Sequence, residues 1–174
     1  MTKKKNAHVF QTVYIAYGSN LDLWQMEHRC PTAVPLGTGV IKDYRIMFKG
    51  SLTGSYATIE KATGYEVPVL LWALTAEDEA SLDRYEGCPN FYYKRELPIA
   101  DFKMLDTIDC DINITSGMAY IMHEYRKFGI PTEHYFNVLY EGYKTFGFDT
   151  ALLTEGLDFT KDKVKQAIEQ GYYI

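Results

Sequence analysis

Apolar residues fall in short alternating runs through the first half of the chain and at helical spacing through much of the second. Thr12–Tyr17, Leu36–Ile41, Tyr44–Lys49, Tyr56–Glu60 and Glu66–Leu74 are rich in β-branched and aromatic residues and bounded by Gly, Pro, Asn or Asp, so each predicts a strand. A short helix over Asp22–Arg29 interrupts them. Thr75-Ala76-Glu77-Asp78 has the form of a capping box with acids in the first turn, and it predicts a helix ending near Glu86, before Gly87. Phe91–Ala100 and Ile112–Met122 predict further strands. Pro131 then opens an amphipathic stretch with Phe136, Val138, Leu139, Tyr143 and Phe146 at helical spacing. A last helix is predicted over Lys161–Gln170 with Thr160 as its N-cap. Strands outnumber helices without regular alternation, which predicts an α+β fold: a small mixed sheet, curved or closed into a barrel, with flanking helices.

The chain has 174 residues, 47% of them hydrophobic and 15% aromatic, a composition that supports one globular domain with a substantial core. Residues 1–10 read as a mobile N-terminal tail, 11–156 as the domain, and 157–174 as a helical extension packed on it or serving as an oligomer contact, which leaves a homodimer open. A net charge of −5 without a basic face argues against a nucleic-acid partner, and Lys3-Lys4-Lys5 reads as a solvated tail. Cys30, Cys88 and Cys110 show no CxxC spacing, so neither a disulfide framework nor a zinc site is expected, and a reducing cytoplasm fits. No apolar signal segment follows the lysines, and the longest apolar run, Val67–Leu74, is interrupted by Pro68 and too short to span a bilayer. A soluble, cytoplasmic protein without a membrane partner is expected.

Candidate chemistry concentrates in two stretches. In VYIAYGSN, residues 13–20, a strand runs into a small polar loop whose backbone can hold a carboxylate or phosphate, or can simply turn the chain. In LDRYEGCPNFYYKREL, residues 82–97, Glu86 stands one turn after Leu82 at a helix C-terminus. Burial and the negative end of the helix dipole would both favour its protonated form, suiting it to general acid–base work; it can equally be a surface residue before a glycine cap. Glu79 and Asp83 read as solvated carboxylates of the same helix. His8, His28, His123 and His134 are scattered, so no metal site is expected. Ser19 lacks a GxSxG elbow, and Cys88 can be read as a nucleophile or as a packed small hydrophobe. Gly37-Thr38-Gly39 lacks the rest of a phosphate loop.

Taken in order, YIAYGSN, RCPTAVPLGTGVIKDYRIMF, SYATIEKATGYEVPVLLWALTAEDEASLDRYEGCPNFYYKREL and AYIMHEYRKFGIPTEHYFNVLYEGYKTFGF resemble the γ-glutamylcyclotransferase-like family, which includes the AIG2-like and butirosin-pathway cyclotransferases. The resemblance covers residues 12 to 155. It implies a small mixed β-barrel with flanking helices and a loop, Tyr17, Gly18, Ser19 and Asn20, that binds the amino-acid end of a γ-glutamyl group. It also implies Glu86 as general acid–base and Tyr125 as a tyrosine near the substrate. The implied reaction cyclises a γ-glutamyl amine or peptide to 5-oxoproline and a free amine, with no metal or organic cofactor. Cys88-Pro89-Asn90-Phe91-Tyr92 departs from the family pattern and leaves the leaving group open. A non-catalytic binding or regulatory module of the same fold is the alternative.

Overall fold

The computed structural model describes residues 9–51, 54–107 and 112–172. The lysine run, His8 and Cys110 lie outside them; of the expected tail, Val9 and Phe10 are described and exposed. The elements are β1 (Thr12–Ala16), a 3₁₀ turn (Ser19–Leu21), α1 (Leu23–Arg29), β2 (Val34–Ser51), β3 (Gly54–Leu74) and α2 (Ala76–Tyr85). They continue with β4 (Tyr92–Pro98), β5 (Ala100–Met104), β6 (Ser116–Met122), β7 (Lys127–Phe128), α3 (Glu133–Thr145) and α4 (Thr150–Glu169).

Four of the predicted strands are two long ones. β2 and β3 form an antiparallel hairpin registered from Val34↔Ala73 to Ser51↔Gly54. The turn signals inside them mark a bulge: pairing passes from Lys42↔Glu66 to Tyr44↔Lys61, and Asp43 and Gly64 adopt φ of 60° and 83°. The Gly64 N–H donates to Asp43 Oδ1 at 2.9 Å, so the ladder bends and resumes instead of ending.

The seven-stranded sheet follows the order β4-β6-β1-β3-β2-β5, with β7 paired to β2. β1 lies inside it, antiparallel to β3 and parallel to β6. The predicted strand Phe91–Ala100 divides at Ile99: β4 pairs with β6 at one end of the path, and β5 pairs with β2 at the other. A single residue therefore joins the two outermost strands, which is feasible only because the sheet is rolled on itself. Ile15, Phe48, Ile59, Leu70, Leu71, Leu74, Leu82 and Leu139 fill the interior and are fully buried. The fold is α+β, a curled mixed sheet with four helices among the described residues.

Helix starts follow their caps. Asp22 accepts from the Gln25 N–H, Thr132 from the Tyr135 N–H, and Thr75 and Asp78 make the reciprocal capping box. The last helix departs from expectation. It starts at Thr150 behind Asp149, not at Lys161, and runs unbroken across the expected boundary at residue 156. Gly156 and Thr160, which resemble a breaker and a cap, are instead where α4 lies against β2. A Cβ on Gly156 would stand 2.5 Å from the Ile46 carbonyl oxygen, and buried Thr160 accepts the Phe48 N–H at 3.0 Å while donating to the Gly156 carbonyl. Among the described residues no helix is long and apolar enough to cross a membrane.

Candidate active site

β1 delivers the polar loop to one mouth of the rolled sheet. Tyr17 is buried, with its hydroxyl donating to the Tyr120 carbonyl, and the 3₁₀ turn that follows points Asn20 inward. The Asn20 Nδ2 donates to Tyr14 Oη at 2.8 Å and to Glu86 Oε1 at 3.2 Å. Its backbone carbonyl accepts from Trp72 Nε1 at 3.2 Å, and its Oδ1 accepts from Arg29 Nη1 at 2.5 Å.

Glu86 arrives from the opposite side, at the C-terminus of α2. Its N–H closes the helix on the Leu82 carbonyl at 2.8 Å, and Gly87 takes the left-handed conformation, φ 61°, that turns the chain away. Leu82 is fully buried one turn below, so the carboxyl faces the cleft. Burial pushes the Glu86 pKa up to about 7, while the Arg29 charge and the Asn20 hydrogen bond pull the other way. Its Oε2 has no hydrogen-bond partner among the described residues.

Between these elements lies a cavity of about 340 Å³ to which Tyr14, Tyr17, Gly18, Ser19, Asn20 and Glu86 all contribute. Five of the six expected site residues thus meet. Tyr125 does not: β6 ends at Met122, the chain turns through His123–Arg126, and the Tyr125 ring lies 74% exposed, stacked on His123. The cleft draws instead on Tyr120, from the inner face of the same strand, and on Tyr135, in the first turn of α3. Tyr135 Oη accepts the Ala57 N–H at 3.1 Å and Tyr92 Oη donates to the Ala57 carbonyl at 2.8 Å, so one residue of β3 fixes both rings. Edge-on contacts continue this wall from Tyr135 to Tyr56 and from Tyr56 to Phe91. Burial raises the hydroxyl pKa values of Tyr14, Tyr17, Tyr92 and Tyr135, so these groups are neutral around Glu86.

Glu79 and Asp83 are not freely solvated as expected. Lys94 Nζ lies 2.6 Å from Glu79 Oε1 and 2.8 Å from Asp83 Oδ1, and Tyr120 Oη donates to Asp83 at 2.6 Å. Burial alone would raise the Glu79 pKa, but hydrogen bonds from Lys94 and Thr12 outweigh it and lower it. These contacts tie α2 to β4 and β6 and so hold the helix end that carries Glu86. Cys88 is a free thiol outside the cleft lining, and burial and then Asp83 push its pKa up, opposite to what a thiolate nucleophile needs. Among the described residues no three His, Cys, Asp or Glu side chains group to hold a metal ion.

Residues 14–137 match the family model described as gamma-glutamyl cyclotransferase, AIG2-like. A gamma-glutamylcyclotransferase of Bos taurus is 34% identical over 88 residues, and one of Mus musculus is 32% identical over 88 residues. Each alignment covers 47% of this chain and 47% of the relative, so the chain spans about half the length of the curated relatives it matches. A solved structure of a gamma-glutamyl cyclotransferase shares the fold with a TM-score of 0.69 at 24% identity, covering 83% of this chain and 85% of that one. The cleft, from Tyr14 to Tyr135, falls wholly inside the matched segment, and the chain belongs to the gamma-glutamyl cyclotransferase, AIG2-like family.

Proposed function

We propose that the cleft cyclises a γ-glutamyl amide to 5-oxoproline and a free amine, with Glu86 as general acid–base. The observation that carries this reading is the Glu86 carboxyl itself: partly desolvated, with a pKa pushed up to about 7, one oxygen held by Asn20 and the other without a partner among the described residues. The substrate's α-amine arrives protonated. Glu86 takes its proton at Oε2, the freed nitrogen attacks the γ-carbonyl carbon, and a five-membered ring closes on a tetrahedral centre. Glu86 returns the proton to the departing nitrogen, the old C–N bond breaks and the carboxylate is regenerated, while the ring nitrogen gives up its second proton to the released amine, which leaves as an ammonium.

No enzyme nucleophile is required, because attack is intramolecular and rate is gained by holding the glutamyl chain bent. Backbone N–H groups of Gly18, Ser19 and Asn20 and the Ser19 hydroxyl are the donors for the substrate α-carboxylate, with glycine permitting close approach. The Tyr14 hydroxyl accepts from Asn20 and has no acceptor for its own hydrogen among the described residues, which suits it to donate to the developing oxyanion. With the α-carboxylate held at the polar loop, the leaving amine extends toward the wall of the cavity formed by Tyr56 and Phe91. Incubating the protein with a panel of γ-glutamyl amino acids, peptides and amines, with 5-oxoproline as readout, tests the reading. Release that fails across the panel overturns it.

A further inference from the structure

A carboxamide has two ends of nearly equal shape, and only its neighbours decide which faces which. At Asn20 the decision is made outside the cleft. A guanidinium carries donors and no acceptor, so Arg29 Nη1 at 2.5 Å obliges Asn20 to present Oδ1 to it. The NH₂ group is then turned to Tyr14 and Glu86. With the amide reversed, donor would face donor at Arg29, and Glu86 would meet an oxygen that repels its carboxylate.

Arg29 is itself locked on three sides. Its Nη2 donates to Gln25 Oε1 at 2.5 Å one turn back on α1, its guanidinium lies 3.8 Å over the Tyr85 ring beside Glu86, and its carbonyl accepts from Ser81 Oγ at 2.8 Å. Nη1 also reaches Ser19 Oγ at 3.4 Å. One side chain therefore touches the polar loop and the end of α2, the two halves of the site. It does not line the cavity.

We propose that Arg29 is a positioning residue, which fixes the Asn20 carboxamide with its NH₂ toward Glu86 and sets the proton affinity of the Glu86 carboxyl. The proposal rests on the acid–base reading of Glu86. The other titratable groups whose charge would act on that of Glu86 are Tyr14 from β1, Tyr17 just after it, Tyr92 from β4, Tyr135 from α3 and Cys88 from the turn after α2. All are raised by burial and stay uncharged where Glu86 titrates. Arg84, on Glu86's own helix, is exposed at the cleft lining. Arg29 is the cation that acts on Glu86.

The test reads Glu86 directly. In protein labelled with carboxyl-¹³C glutamate, the Glu86 resonance is the one lost in Glu86→Gln, and its titration midpoint is followed in wild type, Arg29→Met and Arg29→Lys. The midpoint is expected to rise in Arg29→Met and to stay close to wild type in Arg29→Lys, which keeps the charge. Both variants should lose about 10- to 100-fold in kcat with a smaller change in KM, since neither keeps the planar fork that orients Asn20. An unmoved midpoint in folded Arg29→Met, or wild-type kcat in Arg29→Lys, overturns the proposal; the lysine variant decides it if the methionine variant does not fold. The midpoint is read without substrate, so it separates failure of the Arg29 role from failure of the cyclotransferase reading, which shows as wild-type protein that releases no 5-oxoproline.

Discussion

Asn20 and Glu86, 66 residues apart along the chain, meet with the amide nitrogen 3.2 Å from Oε1. That contact joins a loop able to hold a substrate anion to a carboxyl able to carry a proton. Glu86→Gln preserves the shape and the acceptor for Asn20 but removes the titrating proton. Turnover should fall by about 10² to 10⁴ while the fold and substrate affinity persist. Glu77→Gln, an exposed change on the same helix, is the control and should cost little. Asp83→Asn cannot serve as that control, because Lys94 and Tyr120 hold Asp83. If Glu86→Gln turned over normally, the proton carrier would lie elsewhere.

The acid limb of the rate follows from the same carboxyl. Accepting a proton requires the carboxylate, and burial moves its formation up to about 7, so activity should rise with pH through that value and not through the ordinary carboxylate range. A pH–rate profile whose acid limb lies near the model glutamate value of about 4.3 would contradict the placement of Glu86.

Stability carries the opposite sign. A folded pKa raised above the unfolded one gives stability that is complete below the unfolded value and is lost as pH rises through about 7. Glu86→Gln should therefore be more stable than wild type at neutral to alkaline pH, by up to about 3 kcal/mol, with the difference shrinking toward about pH 4. Thermal melts of the two proteins across this range check it; a variant less stable than wild type at high pH would refute the buried-carboxyl account.

Gly18 separates binding from folding. Its φ of −112° lies outside the left-handed region, and an added Cβ would stand 3.5 Å from Tyr135 Oη and 3.7 Å from Ala57 Cβ, ordinary contact distances. The further methyls of Gly18→Val would project beside the tyrosine wall, so KM should rise by about tenfold or more, while a melt shows little change. Unchanged KM would remove the loop from the substrate site.

Thr160→Val probes the seat of α4. The substitution is close to isosteric but removes the acceptor of the Phe48 N–H, which is buried and bonds at 3.0 Å. The cost should be about 1–3 kcal/mol in denaturant unfolding, with Thr160→Ser recovering most of it. Equal stability of the valine and serine variants would show that this hydroxyl is dispensable.

Much of this was legible in the sequence where one residue settles a local choice. Thr75 with Asp78 marks the start of α2, and Gly87 marks its end, so Glu86 is fixed at the helix terminus by local signals alone. Where local signals serve tertiary packing, reading along the chain fails. Asp43 and Gly64 resemble turns but bend one continuous hairpin, and Gly156 and Thr160 resemble a helix boundary but let α4 approach β2. Tyr125 and Tyr120 share one aromatic stretch, and only the end of β6 at Met122 decides which ring faces the cleft. Arg29 carries no motif. Its role depends on α1 folding back over the loop, and on Tyr85 arriving from another helix to cover its guanidinium.

The position of β1 bears on how the protein is made. β1 is the first described strand to leave the ribosome, yet it is parallel to β6, which ends at Met122, and Tyr17 leans on the carbonyl of Tyr120 in that late strand. A nascent chain that has already produced α2 and Glu86 therefore still lacks one flank of β1 and part of the cleft wall. The long wait for a distant partner is the kind of non-local pairing that slows folding. Synthesis thus completes Glu86 before it completes the cleft around it, and an interrupted chain exposes the carboxyl without the pocket.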